Sequence, residues 1–296
     1  MLVKELCNIC APSGFEDEVR TFLRERATAD EIYTDTIGNL ICHKKGNGRK
    51  IMVSAHMDEV GFIITEITDD GFLKFDELGS IETAVMYGKK VLIGKNRIPG
   101  IIGAKAIHLQ RRDDVLNPPK IKDLCIDIGA KDKESAKKLV EIGDYASFDG
   151  EYTEFGENLV KSKALDDRVG CAVLLELMKE EYDSDIYFVF TAQEEVGLRG
   201  AIISANTIKP DIALVIEGTT CSDVYGSKPH NQVTNLGGGA VMTAMDRAAI
   251  SDRKYFDFIM KTAKENNIPL QIKRTAMGGT DAGAIQRSGT GVKTAV

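Results

Sequence analysis

The chain has 296 residues, 43% of them hydrophobic, enough to bury a large core in one or two domains. Its 45 acidic residues outnumber 38 basic ones for a formal charge of −7, and no basic block occurs, which argues against nucleic acid or an anionic membrane surface as partner. No stretch approaches the ~18 apolar residues of a spanning helix, and Lys4 and Glu5 interrupt what would be a signal core, so the sequence reads as cytoplasmic.

The N-terminal residues read as a helix with Cys7 and Cys10 on one face. Cysteines stand at 7, 10, 42, 125, 171 and 221, and a lone CxxC with no second pair and no His pair is weak support for zinc. Scattered thiols suit a reducing compartment. Residues 13–16, SGFE, have the pattern of a capping box before a helix that puts Phe15, Val19, Phe22 and Leu23 on one face. Strand-like runs at 32–34 and 39–43 share a short glycine-containing turn, and a buried strand at 51–55 ends at His56.

From about residue 62 to 157 the texture changes to short β-like pieces separated by Gly, Pro and Asp, with one helix expected in 131–142, KDKESAKKLVEI. This predicts a small β-rich domain at 64–157, inserted into a second domain made of 1–63 and 158–296. A periodic helix at 166–180 points Val169, Ala172, Val173 and Leu177 inward. Strand 186–190, helix 198–208, strand 212–216 and helix 250–267 then alternate, which predicts a doubly wound α/β sheet.

Several chemistry-bearing residues share one address in such a fold. His56 follows one strand, Glu194 and Glu195 follow another, Glu217 follows a third, and Asp166 opens a helix. Open α/β sheets bind ligands beyond the carboxyl ends of their strands, so these groups are expected to converge. A histidine with carboxylates and no thiolate suits zinc, cobalt or manganese in a hydrolytic site. Asp58, two residues past His56, can hold the imidazole N–H from behind. Of the paired glutamates, Glu195 is expected to ligate and Glu194 to face the attacking water as general base, since a cation relieves their mutual repulsion. The plainer readings are a core histidine, a strand-end Glu217, and an Asp166 and Asp167 pair that favours a helix dipole. Residues 278–283, GGTDAG, lack the lysine and spacing of a phosphate loop and read as a place where backbone meets substrate, at Gly279, Thr280 and Asp281.

The segments HMDEVG (56–61), KALDDRVG (163–170), AQEEVG (192–197), IEGTT (216–220) and GGTDAG occur in the order seen in the tetrahedral and glutamyl aminopeptidases, whose members have also been labelled cellulase M or endoglucanase. The chain resembles that family from APSGFEDE (11–18) to nearly its last residue, including RIPGIIGAKAIH (97–108). The resemblance implies a zinc-peptidase-like mixed sheet with an inserted β-barrel dimerisation domain, often assembled into a twelve-subunit tetrahedron. It also implies two divalent ions per subunit, zinc or cobalt. His56 and Glu217 become terminal ligands of one ion, Glu195 a ligand of the other, Asp166 the bridge, Glu194 the base and Asp58 an orienting carboxylate.

The implied activity is removal of N-terminal residues from short peptides by a metal-bound hydroxide. Two other functions stand beside it: an endoglucanase, for which adjacent glutamates and the absence of Trp are a poor fit, and a non-catalytic subunit. The latter follows from one departure. The family's last histidine ligand lies in a YIHSP-like segment beyond GTGVKTAV, whereas this sequence stops at Val296 and its other histidines, His43, His108 and His230, match no such position. The natural chain is expected to continue, and the second ion to lack a ligand in the chain as it stands.

Overall fold

A computed structural model describes residues 2–109 and 119–296. They separate into two compact units, one of Arg20–Met57 and Leu165–Val296, the other of Met1–Val19 and Asp58–Ala164.

The first unit is built on a six-stranded sheet in the order Glu31–Thr34, Leu40–Lys44, Asp185–Thr191, Lys50–His56, Ile212–Val215, Lys293–Ala295. The first three run antiparallel to one another and the last four are mutually parallel, so the sheet is mixed. Its central strand carries Phe188, Val189 and Phe190, all at most 1% exposed. Burial on both faces is what lets a continuous apolar run replace the usual alternation. Asp35 makes the tight turn between the first two strands by accepting from the amides of Ile37, Gly38 and Asn39.

Register places the parallel strands' ends together: Thr191 pairs with His56, and Val215 pairs with Ser54. Helices Leu165–Leu177, Arg199–Ile208, Arg253–Glu265 and Asp281–Gln286 alternate with these strands. The helix expected at 166–180 shares only Ala172, buried, and Leu177, half-buried, with its expected inward face. Cys171, Leu174, Leu175 and Met178 are buried, whereas Val169 and Val173 are 41% and 37% exposed. Asp166 and Asp167 have non-helical backbone angles, so helical phase is set only from Arg168 onward.

The second unit holds a closed antiparallel barrel in the order Gly61–Ile67, Leu73–Leu78, Cys125–Asp127, Ile98–Gly103, Lys90–Ile93, Tyr145–Phe148. Phe62 sits at its centre with Phe75 and Phe148 packed edge-on at 4.9 and 5.1 Å. Closure removes the exposed sheet edge that six short strands would otherwise present.

Residues 11–18, expected with the sheet, contribute to this unit through Pro12, which bridges Glu59, and Phe15, which lies 5.0 Å from Tyr145. The capping box expected at 13–16 does not form. The helix begins at Asp17, and the Ser13 hydroxyl donates instead to Asp58 Oδ2 at 2.6 Å. The helix expected over 131–142 is a single turn, Lys133–Ala136. Ser135 Oγ accepts from the amides of Lys131 and Asp132 and donates to the Asp132 carbonyl, local bonds that compete with helix propagation.

Buried charge in this unit is fully engaged. Glu59 accepts from the Ala11 amide, the Ser147 hydroxyl and the Lys163 ammonium, and Lys163 also donates to the Ile9 carbonyl.

Candidate metal centre

The parallel strand ends of the first unit and the start of the helix Leu165–Leu177 meet at one basin, lined by His56, Asp166, Glu194, Glu195, Glu217 and the segments 218–220 and 277–280, with Lys273 on its wall. His56 is the last residue of its strand and 2% exposed. Its Nε2 lies 3.1 Å from Asp166 Oδ1 and 3.3 Å from Glu217 Oε1. One donor atom from each of these three residues fits within a 4.8 Å cluster.

Local structure explains how each group arrives. The Cys171 thiol donates to the His56 carbonyl at 3.2 Å, tying the strand end to the neighbouring helix. Asp166 precedes the helical turns, and its peptide to Asp167 is cis. Gly170 follows because Asp167 folds back: the Gly170 amide donates to Asp167 Oδ1, and a Cβ there would meet Asp167 Oδ2 at 2.3 Å.

Glu194 and Glu195 sit in a loop with left-handed backbone at Gln193 and Leu198. Asn39 pins its base. The Asn39 Oδ1 accepts from the Ala192 amide, while its Nδ2 donates to the Gly200 carbonyl and to Asp35. Gly200 has to be glycine, since a Cβ would meet Asn39 Oδ1 at 2.2 Å.

The electrostatics describe a basin that wants a cation. Burial pushes the Glu194 carboxyl up to about 9, with the nearby charges of Asp281, Glu217 and Glu195 adding to the rise and His56 opposing it. Glu217 is pushed up to about 8, again first by burial, with His56 opposing and Asp166 reinforcing. Asp167, 1% exposed, is held well above the usual range by burial. For Asp166, whose side chain is 62% exposed, burial is the largest single influence and pushes upward, but the hydrogen bond and charge of His56, with Glu217 and Lys273, together outweigh it, and the carboxyl lies below its ordinary value.

Glu217 Oε2 is buried and has no hydrogen-bond partner among the described residues. A buried carboxylate oxygen left without a partner is costly unless something else binds it. A hard or borderline divalent ion fits the donor set of one imidazole and two carboxylates.

Of the other predicted site residues, Gly279 and Thr280 line the basin. Asp281 does not; it is 1% exposed and accepts from the Thr191 hydroxyl at 2.5 Å. Asp58 falls in the barrel unit, fully buried, where Ser13 donates to it. His108 is exposed and lies far along the chain in that same unit. Sequence reasoning missed Lys273, Met277 and the turn that holds the 278–280 wall. There Asp246 Oδ2 accepts from the Thr280 hydroxyl, and Asp246 Oδ1 accepts from the amides of Ala248 and Ala249. Nothing in the isolated segment AMDRAAIS signals that pairing, which spans 34 residues.

A mixed α/β sheet whose parallel strand ends bring a histidine and several carboxylates into one concavity defines a metal-dependent hydrolase. Residues 38–296 match the M42 glutamyl aminopeptidase family, and the chain belongs to it. Peptidases of this family are metal-dependent hydrolases. The chain is similar to the lysyl aminopeptidase of Pyrococcus furiosus, 31% identical over 310 residues that span 100% of this chain and 87% of that protein. Among solved structures it resembles the TET1 peptidase of Pyrococcus horikoshii, which can assemble into a tetrahedron or a large octahedral shell. The identity is 35% and the TM-score 0.87, over 99% of this chain and 88% of that one. It also resembles an endoglucanase of Thermotoga maritima, at 35% identity and TM-score 0.82 over 100% and 86% of the two chains. Among the described residues no helix is long and apolar enough to cross a membrane.

Proposed function

We propose that the chain is an aminopeptidase in which His56, Asp166 and Glu217 hold a divalent ion, Glu195 serves a second, and Glu194 is the general base. The observation that carries this reading is the cluster of three donors within 4.8 Å, together with a buried Glu217 oxygen that has no partner among the described residues. A zinc or cobalt ion bound there supplies positive charge that polarises a peptide carbonyl and acidifies water. Glu194, buried and raised toward 9 in the metal-free protein, is suited to take a proton from the attacking water and hand it to the leaving amine. The free α-amine of a peptide is drawn to the same carboxylate-rich basin, which confines cleavage to the first residue. Gly279 and Thr280, on the wall, present backbone to the peptide, with the Thr280 hydroxyl committed to Asp246.

The barrel unit is assigned a role in pairing subunits, and assembly into a larger shell is the form expected for the working enzyme. The similarity to an endoglucanase keeps a second substrate class in view. Here the carboxylates gather on one histidine instead of flanking a ring-sized gap, which favours peptide over glycan.

The test is to load the protein with zinc or cobalt, desalt it, and count metal by mass spectrometry beside an assay with aminoacyl arylamides and a soluble glucan. Bound metal with chelator-sensitive release of arylamine supports the reading. Chelator-insensitive release of reducing sugar, or a metal-free protein after loading, overturns it.

A further inference from the structure

Asp281, the aspartate of the GGTDAG segment, opens the helix Asp281–Gln286 directly after the basin wall at 277–280 and is 1% exposed. Taking a carboxylate out of water is costly. This one neither lines the basin nor belongs to the three clustered metal donors. Its Oδ2 accepts instead from the hydroxyl of Thr191, itself fully buried, at 2.5 Å.

Thr191 is the last residue of the strand Asp185–Thr191 and stands three residues before Glu194. The backbone between them is tied down along its length. The Thr191 carbonyl accepts from the Met57 amide at 2.9 Å, the Ala192 amide donates to Asn39, and the Glu194 carbonyl accepts from the amides of Gly197 and Leu198 at 2.9 and 2.8 Å. Glu194 therefore rides on a stiff platform that begins at Thr191, and the bond to Asp281 joins that platform to the wall. Ala201, Ala205, Ala282 and Ile285 share a core, so the helix after Glu194 also packs against the helix after the wall. Apolar faces of this kind set a spacing but no direction, whereas a charge-assisted hydrogen bond sets both. Asp281 is also close enough to Glu194 for its charge to act on that carboxyl.

Resting on the aminopeptidase reading, we infer that Thr191 and Asp281 are positioning residues: the hydrogen bond between them fixes Glu194 relative to a peptide held on the wall at 277–280. The Thr280–Asp246 bond holds the wall itself, and the Thr191–Asp281 bond holds the distance from wall to base. A peptide seated on the wall must present its first carbonyl to the water beside Glu194, and a misplacement of about 1 Å can cost about 100-fold in rate.

The experiment uses the full, metal-loaded chain, the aminoacyl arylamide that wild type cleaves fastest, and denaturant unfolding of every variant. Thr191→Val keeps the shape but loses the hydroxyl, and should lower kcat by about 10- to 100-fold with KM and metal content close to wild type. Thr191→Ser keeps the donor and should retain most of kcat. Replacing both partners, Thr191→Val with Asp281→Leu, removes the stranded carboxylate and should recover stability while kcat stays low.

A double variant that recovers stability and kcat together overturns the inference, since the pair is then only structural. Thr191→Val overturns it too if kcat is unchanged, or if the loss runs through KM or through metal content. Should Thr191→Val not fold, the double variant and Thr191→Ser decide alone. Failure of wild type to cleave any arylamide despite bound metal removes the aminopeptidase reading itself and the inference with it.

Discussion

Two buried glutamates, one in each unit, mark the difference between structure and function in this molecule. Glu59, in the barrel unit, is 2% exposed and has an amide, a hydroxyl and an ammonium around its oxygens. Glu217, at the end of a sheet strand, has a side chain only 10% exposed, one oxygen near His56 and the other with no partner among the described residues. The first is mortar: every acceptor is used inside the protein. The second is built with an open valence facing a basin, and burial, reinforced by Asp166 and opposed by His56, raises its carboxyl to about 8. A buried carboxylate is informative in proportion to what the protein leaves undone around it.

That contrast can be broken most severely at the basin. Glu194→Gln removes the proposed base but keeps shape, and should lower kcat by about 10²- to 10⁴-fold. Mass spectrometry should find the metal content unchanged; a variant turning over at the wild-type rate would take Glu194 out of the chemistry.

The mortar side is tested by Glu59→Ala, which strands the Lys163 ammonium, 8% exposed, without its carboxylate. Breaking such a pair should cost about 3–5 kcal/mol in denaturant unfolding. A loss below about 1 kcal/mol would mean that Glu59 and Glu217 do not differ in the way argued.

A smaller effect is expected at Asp246, which supports the basin wall without lining it. Asp246→Ala releases Thr280 and the 248–249 amides and should destabilise by about 1–3 kcal/mol. Kinetically it should raise KM more than it lowers kcat, because the wall and not the base is displaced. Asp246→Asn, which can still accept through its carbonyl oxygen, should restore much of both.

The smallest expected signal is a proton count. In the metal-free protein Glu217 and Glu194 are mostly protonated at pH 7, being raised to about 8 and 9. Folding therefore binds protons that the unfolded chain lacks between pH 4.5 and those values, and metal-free stability should fall as pH rises across that window. Metal binding reverses this by demanding the anion, so roughly one proton should leave per ion bound at pH 7. Affinity should climb with pH until Glu217 is ionised. Calorimetry in buffers of different ionisation enthalpy reads the proton directly, and a count of zero would contradict the raised carboxyls.

The sheet and much of the basin could be read from the chain because each rests on local grammar. Residues 51–55 and 186–190 are apolar runs that punctuate with His56 and Glu194, and strand ends are where open sheets bind ligands. The barrel was legible as β texture through its Gly and Pro spacing and as a barrel only through the family resemblance, since closure depends on Tyr145–Phe148 pairing back to Gly61–Ile67. What escaped was long-range and polar. Ser13 looks like a helix cap but serves Asp58, 45 residues away, and Asp246 looks like a turn residue but holds Thr280. Hydrogen bonds between distant side chains leave no periodicity to find. The helix at 166–180 was correctly located but its inward face only partly so: Ala172 is buried, while the stripe that packs runs through Cys171, Leu174, Leu175 and Met178 and leaves Val169 and Val173 exposed.

The pairing of Thr191 with His56 and of Val215 with Ser54 has a genetic consequence. Side chains along a strand alternate faces, so deleting or inserting a single residue within 50–56 or 185–191 turns the strand end over and sends its terminal group to the opposite side. Substitutions in these strands can be graded; frame errors of one residue cannot. In a library of single-codon deletions, intolerance should therefore be concentrated in these short tracts.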